Sequence, residues 1–213
     1  MSHPAMSWLK VFLYEVFDLV AYIVFVAGIV FFIRFFVINP FNVVGSSMYP
    51  TIHEKDFILV DKITPRFNGY ARGDIIVFVP PGKDVAYVKR VIGLPGETIT
   101  IKNNVVTACK TIPEGVTNTP TSCQILDQSF LPPETQTATT CGKDTFIVDS
   151  WYFVMGDNRW ASTDSRCCFW LYCYEKTNYL APIDHIIGKV LVRVFPSPWW
   201  FTNPYDNINA LTQ

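Results

Sequence analysis

Three stretches hold side chains that could work together as nucleophile, base and supporting charge. They are Gly45-Ser46-Ser47-Met48-Tyr49-Pro50-Thr51, the run Tyr87 to Glu97 that contains Lys89 and Arg90, and the run Gly156 to Arg166. A serine hydroxyl is a weak nucleophile until a base removes its proton. The three histidines, His3, His53 and His185, lie outside these stretches, so no Ser-His-Asp set presents itself. Lysine can serve as the base only when neutral. At its ordinary pKa of about 10.4, on the order of one lysine in 10³ is neutral at pH 7. Burial among apolar neighbours such as Val88 and Val91 would lower that pKa by several units, and a shift of about 3 units costs about 4 kcal/mol that the fold must offset. On a strand, Lys89 and Arg90 point to opposite faces, so one can enter an apolar site while the other meets water.

The elements that would position these residues are mostly strands. Residues 57–63, 74–80, 85–93, 98–106, 145–157 and 186–196 are rich in β-branched and aromatic residues, and most are separated by Gly-, Pro- and Asp-containing turns. A long 3.6-residue period is missing after residue 38, which predicts an all-β body. Residues 107–144 stand apart: they are rich in Thr, Pro and Gln, carry Cys109, Cys123 and Cys141, and read as an inserted lobe. The aromatics Trp199, Trp200 and Phe201 suit either a core or a membrane interface.

Ahead of this body, Leu19 to Ile33 carries no charge, and after Arg34 the apolar run continues to Ile38. These 20 residues would span roughly 30 Å as a helix, the thickness of a bilayer core, with Arg34 near enough to the end to snorkel. A cleaved signal peptide would have a shorter apolar region and a small-residue cleavage site. Residues 1–18 would extend the helix or lie along the interface. Lys10 and Arg34 flank the run on opposite sides, so positive charge gives little orientation.

Bulk composition narrows the classes. The chain has 213 residues and a net charge of −1, which predicts one or two domains and no electrostatic attraction to nucleic acid. The six cysteines form no CxxC pair, and the histidines are scattered, which argues against a metal centre or other cofactor. An even count suits disulfides in an oxidising compartment, with buried free thiols as the alternative.

In this order after one apolar span, the stretches resemble the type I signal peptidases, over most of residues 34–196. "SSMYPT" (46–51) resembles that family's Ser-Met-x-Pro-Thr box and "RGDIIVF" (72–78) its Gly-Asp strand box. "YVKRVIGLPGE" (87–97) and "GDNRWASTDSR" (156–166) resemble the remaining two. With the strand pattern, the chain reads as mainly β: an anchor at 1–38, a β catalytic domain at 39–106 and 145–213, and between its halves the lobe at 107–144, which, like the C-terminal tail, no motif of the family covers. The resemblance implies a single-pass enzyme of the cell membrane, its catalytic domain on the trans side. Such an enzyme would remove signal peptides from exported preproteins at sites with small residues, as in Ala-x-Ala. The bilayer and the export machinery would be its surroundings.

Residue by residue, the resemblance makes Ser47 the nucleophile, its backbone N–H a donor to the oxyanion, and Lys89 the general base. Ser162 would hydrogen-bond the lysine amine, and Asp164 and Arg166 would form a supporting ion pair. Asp157, Asn158 and Arg159 would shape the same loop, and Met48 would follow the nucleophile. Many members carry a serine two positions before the nucleophile as a second oxyanion donor. This chain has Gly45 there, and Ser46 is either a replacement or only a small turn residue. The run "CCFWLYC" (167–173) is unusual for the family, and a bridge such as Cys168–Cys173 would tie the loop behind the site. Ser47 lies nine residues beyond Ile38, so an extended tether would reach only about 30 Å. Two other readings remain. A self-cleaving Ser-Lys regulator would carry a DNA-binding helix-turn-helix, which the apolar residues 1–38 do not resemble. An inactive binding module would show degenerate boxes.

Overall fold

The computed structural model describes residues 5–110, 122–138, 141–170 and 179–206. The chain divides into two units, Met1–Asn39 and Pro40–Gln213. The first is dominated by helix α1, Ala5–Phe32. Its 25-residue stretch Trp8–Phe32 has a mean hydropathy of 2.2, and none of it is buried. That is long and apolar enough to cross a bilayer. The helix begins well before the uncharged run and takes in residues that sequence alone left between helix and interface. A π-helical turn, Ile33–Val37, follows and contains Arg34. Ile38, expected to end the span, instead starts a strand.

The second unit is built on two antiparallel sheets. The larger orders its main strands as β1 (Ile38–Asn42), β2 (Phe57–Asp61), β10 (Ile186–Phe195), β3 (Ile75–Phe78), β4 (Tyr87–Gly93) and β9 (Phe153–Met155), with β11 (Trp199–Trp200) paired to β10. The smaller runs β7 (Ser122–Ile125), β6 (Val105–Lys110), β5 (Glu97–Lys102), β8 (Thr145–Val148). A short helix, α2 (Thr64–Asn68), comes after β2.

Two runs read as single strands are each divided. Within 98–106, Asn103 and Asn104 have φ of 50° and 66°, so the chain reverses there and β5 pairs with β6 as a hairpin. Asparagine tolerates left-handed backbone better than most side chains, which makes an Asn-Asn pair a turn signal. Within 145–157 the chain leaves the smaller sheet after Val148 and enters the larger at Phe153. The segment read as an inserted lobe, 107–144, shares β6 with the smaller sheet. Cys109 and Cys123 face each other across β6 and β7 and are disulfide-bonded.

Alternation along the strands builds three apolar clusters. Ile92, Ile99, Ile101, Phe146, Val148 and Phe153 belong to one that joins the smaller sheet to the larger. Met48, Ile52, Ile58, Val60, Ile75 and Val77 anchor a second, and Ile76, Phe78, Val91 and Phe169 a third. The ion pair of Arg72 and Glu97 also links the sheets. The carboxylate accepts from Arg72 at 2.6 Å and from the Leu94 backbone N–H at 2.8 Å, and both side chains are buried. Removing one partner of a buried pair leaves the other charge uncompensated. Glu97→Ala should therefore lower the unfolding free energy by about 3 kcal/mol, read by urea unfolding of the detergent-solubilised chain.

Candidate active site

Strand β4 supplies the centre of the site. Ile76 on β3 is the register partner of Lys89, and Met155 on β9 that of Arg90, so β4 is paired on both sides where the two cations stand. Lys89 shares a face with Tyr87 and Val91, and Arg90 lies on the other. Lys89 is only 3% exposed. Its Nζ is 2.7 Å from Ser47 Oγ and 2.9 Å from the Val88 carbonyl oxygen, and it stands 5.3 Å from the centre of the Tyr87 ring. Sequence suggested that Arg90 could face water. It is instead equally buried, because its opposite face is covered too. Its Nε and Nη2 donate to Asp157 at 2.8 and 2.6 Å, and its Nη1 to the Gly73 carbonyl.

The turn bearing Ser47 is fixed by the residues after it and by the loop that crosses it. Met48, 1% exposed, drops into the second apolar cluster. Its carbonyl accepts from the Ile52 N–H at 2.9 Å. Gly45 has φ +93° with open space where a Cβ would stand; its backbone conformation, not crowding, favours glycine there. The loop after β9 closes over the turn. The Asn158 backbone N–H donates to the Ser47 carbonyl at 3.0 Å, and its side-chain amide to the Ser46 carbonyl at 3.1 Å. Thr51 Oγ1 donates to Asp157 at 2.5 Å. Gly156 is required by close approach: a Cβ there would lie 2.4 Å from the Ser47 carbonyl oxygen and 2.2 Å from Ser162 Oγ.

Behind the lysine lie two buried carboxylates, each with a guanidinium. Asp164 accepts from Arg166 Nε and Nη2, both at 2.9 Å, and from the Gly156 N–H at 3.0 Å. Burial alone would raise the Asp164 carboxyl; the Arg166 charge and these bonds hold it below the usual carboxylate range. Arg166 also donates to the carbonyls of Arg159 and Ala138. Arg159 donates through Nε to the Gly156 carbonyl at 3.1 Å, and through Nη1 to Gln128 and Thr137. The expected hydrogen bond from Ser162 to the Lys89 amine is not formed. The Ser162 hydroxyl is buried without a well-formed partner, close enough to Asp164 to help hold that carboxyl down.

Burial pushes the Lys89 amine down from 10.5 to about 8, with Asp164 and Asp157 opposing the shift and Arg166 adding to it. At pH 7 roughly one lysine in ten is then neutral, a gain of about two orders of magnitude over an exposed one. The arrangement can remove a proton from Ser47 Oγ at neutral pH. Ser46, exposed beside it, has its carbonyl tied to Asn158.

The expected residues Ser47, Lys89, Asp157, Asn158, Arg159, Asp164 and Arg166 are thus brought into one linked network. Sequence reasoning missed Thr51 and Arg90 as partners of Asp157, and Gly156 as the point of close approach, although all three lay inside the three motif stretches. It also missed Gln128 and Thr137, which carry no local signal. Cys141 and Cys167 form a second disulfide. Cys168 is disulfide-bonded as well, and its suggested partner Cys173 lies outside the described residues.

Residues 16–195 match the family described as "Signal peptidase, peptidase S26". Signal peptidase I S of Bacillus subtilis (strain 168) is 36% identical over 142 residues, covering 63% of this chain and 69% of the relative. Probable signal peptidase I-1 of Synechocystis is 34% identical over 178 residues, covering 79% and 76%. Signal peptidase I of Leptolyngbya laminosa is 36% identical over 174 residues, covering 77% and 72%.

Two outcomes test the geometry. The folded pKa of Lys89, about 8, lies below its unfolded value, so the charged amine destabilises the fold below pH 8, and the cost shrinks as pH rises toward about 10.4. Lys89→Met should raise the unfolding free energy at pH 7 by up to about 3 kcal/mol, with the gain falling below about 1 near pH 10; unfolding at the two pH values measures it. Gly156→Ala should separate the loop from the serine turn and reduce labelling of Ser47 by a sulfonyl fluoride at least tenfold.

Proposed function

The chain belongs to the signal peptidase family, peptidase S26, and from that premise we propose that it removes signal peptides from exported preproteins using Ser47 as nucleophile and Lys89 as general base. The observation that carries this reading is the 2.7 Å contact between Lys89 Nζ and Ser47 Oγ, with the amine buried and its pKa lowered.

The neutral amine accepts the hydroxyl proton through its lone pair while Ser47 Oγ attacks the scissile carbonyl. The Val88 carbonyl, bonded to another amine hydrogen, keeps that lone pair aimed at the serine. The Ser47 backbone N–H donates to the oxyanion. The lysine ammonium then gives its proton to the departing amine. In the second half the same lysine takes a proton from water, which attacks the acyl-serine. Asn158 holds the serine turn, and Asp164 with Arg166 and Asp157 with Arg90 support the loop and strand behind it.

The cleft at Ser47 has a volume of about 480 Å³ and is walled by Val44, Val77, Val85, Ala86 and Val88 among others. Apolar, β-branched walls suit small uncharged side chains on an extended peptide, in agreement with Ala-x-Ala-like sites. The apolar helix α1 supports anchoring in the cell membrane, with the lipid bilayer and the export machinery around it. The disulfides support a catalytic unit on the trans side.

For a peptide with an Ala-x-Ala site, kcat/KM should rise about tenfold per pH unit below pH 8 and level off above it, since only the neutral lysine is competent. Ser47→Ala and Lys89→Ala should each lower it by at least about 10³-fold. Near-normal cleavage by Lys89→Ala would remove the base from this scheme.

A further inference from the structure

The segment between β7 and β8 does more than connect two strands of the smaller sheet. Leu126 and Leu131 are buried, and the Asp127 carbonyl accepts from the Tyr205 hydroxyl at 2.6 Å, so the start of the segment is pinned to the core. Its polar groups then reach the loop 156–166. Arg159 Nη1 donates to Gln128 Oε1 and Thr137 Oγ1, and Thr137 itself donates to Gln128 at 2.8 Å. The Ala138 carbonyl accepts from Arg166 Nη1 at 3.1 Å. Finally Cys141 is bonded to Cys167, the residue directly after Arg166, whose own N–H donates to the Asp164 carbonyl at 3.1 Å. Three attachments, the last covalent, therefore converge on the two arginines behind the Ser47–Lys89 contact. Cys167 is buried, whereas Cys141 is exposed, so a reductant can approach the bridge from outside.

Resting on the proposed Ser–Lys reading, we propose that Gln128, Thr137 and Ala138 form a brace, locked by the Cys141–Cys167 disulfide, that positions Arg159 and Arg166, so that reducing this bridge lowers activity. The chemistry is a thiol–disulfide exchange with a dithiol. The dithiol is oxidised to its own disulfide, and its two electrons and two protons pass to Cys141 and Cys167 as thiols. Arg159 and Arg166 are then held to the segment by hydrogen bonds alone.

The consequence reaches the lysine through charge. Asp164, Asp157 and Arg166 are the charged groups that act on Lys89; the Val88 carbonyl, the Tyr87 ring and Ser47 also lie against its amine. Arg166 neutralises Asp164. A guanidinium no longer held in register leaves that carboxylate freer to stabilise the ammonium, so a larger share of the enzyme is inactive at a given pH.

The test compares full-length, detergent-solubilised enzymes on an Ala-x-Ala peptide. The Cys141→Ser/Cys167→Ser double variant should lose about threefold or more in kcat at pH 7, with KM unchanged. Its acid limb should move to higher pH by half a unit or more. The Cys109→Ser/Cys123→Ser variant, which keeps the brace locked, should retain the wild-type profile. An unshifted limb in the first variant, or an equal loss in the second, overturns the proposal. Should the first variant not fold, the folded wild-type enzyme treated with limiting dithiothreitol carries the test, with the Cys141 and Cys167 thiols followed by alkylation and mass spectrometry: a limb that moves upward in step with reduction of that pair supports the brace, and an unchanged limb overturns it. If the wild-type enzyme fails to cut the peptide at all, the Ser–Lys reading falls instead.

Discussion

The proposed chemistry requires a lysine kept without its proton beside a serine at neutral pH, and most of the described site answers that requirement. Desolvation is the force available, and it acts only if water is excluded from the amine. Strand β4 meets this by placing Lys89 between two paired neighbours, with apolar clusters against the sheet. Yet the same loop that excludes water brings Asp157 and Asp164 close, and both carboxylates favour the ammonium. Left alone they would undo what burial achieves. Each is therefore matched with a buried guanidinium, Arg90 for Asp157 and Arg166 for Asp164. The two ion pairs are better understood as neutralisers of their own carboxylates than as a source of stability, since buried pairs roughly break even against apolar packing.

This division explains why the loop 156–166 is so densely bonded. It must deliver two carboxylates, hold the serine turn through Asn158, and still pass within van der Waals contact of the Ser47 carbonyl. Only glycine at 156 permits the last of these. Arg159 and Arg166 bond the Gly156 and Arg159 carbonyls of the loop and reach across to the segment from the smaller sheet. That sheet is therefore coupled to the chemistry although none of its strands carries a reacting group.

The legibility of the site in the sequence obeys the same physics. Ser47, Lys89 and the loop residues sit in short contiguous runs whose order and spacing are distinctive, so a resemblance could name them. The apolar helix was readable because length and absence of charge are local properties. The unreadable features depended on pairing at a distance. Arg90 looked like a solvated cation because strand alternation says nothing about what covers the second face. The hairpin at Asn103-Asn104 was hidden because β-branched residues continue on both sides of the turn. The run 145–157 looked like one strand because the chain changes sheets without a long break in apolar character. Gln128 and Thr137 are ordinary polar residues in a Thr-rich segment, and only the fold brings them to Arg159.

The resting site is also incomplete in a way that its electrostatics anticipates. Ser47 is half-buried and opens onto an apolar cleft, so water still reaches the serine side of the pair. The largest influence on Lys89 is burial, not any single charge. A peptide lying in the cleft would remove the remaining water and extend that same influence, driving the amine further toward its neutral form. The carboxylates oppose that shift, but their pairing with Arg90 and Arg166 limits how far they do so. On the proposed Ser47–Lys89 scheme, substrate binding and activation of the base would then be one event: the lysine would give up its proton most readily with the scissile bond in place, and keep it longer before the peptide arrives.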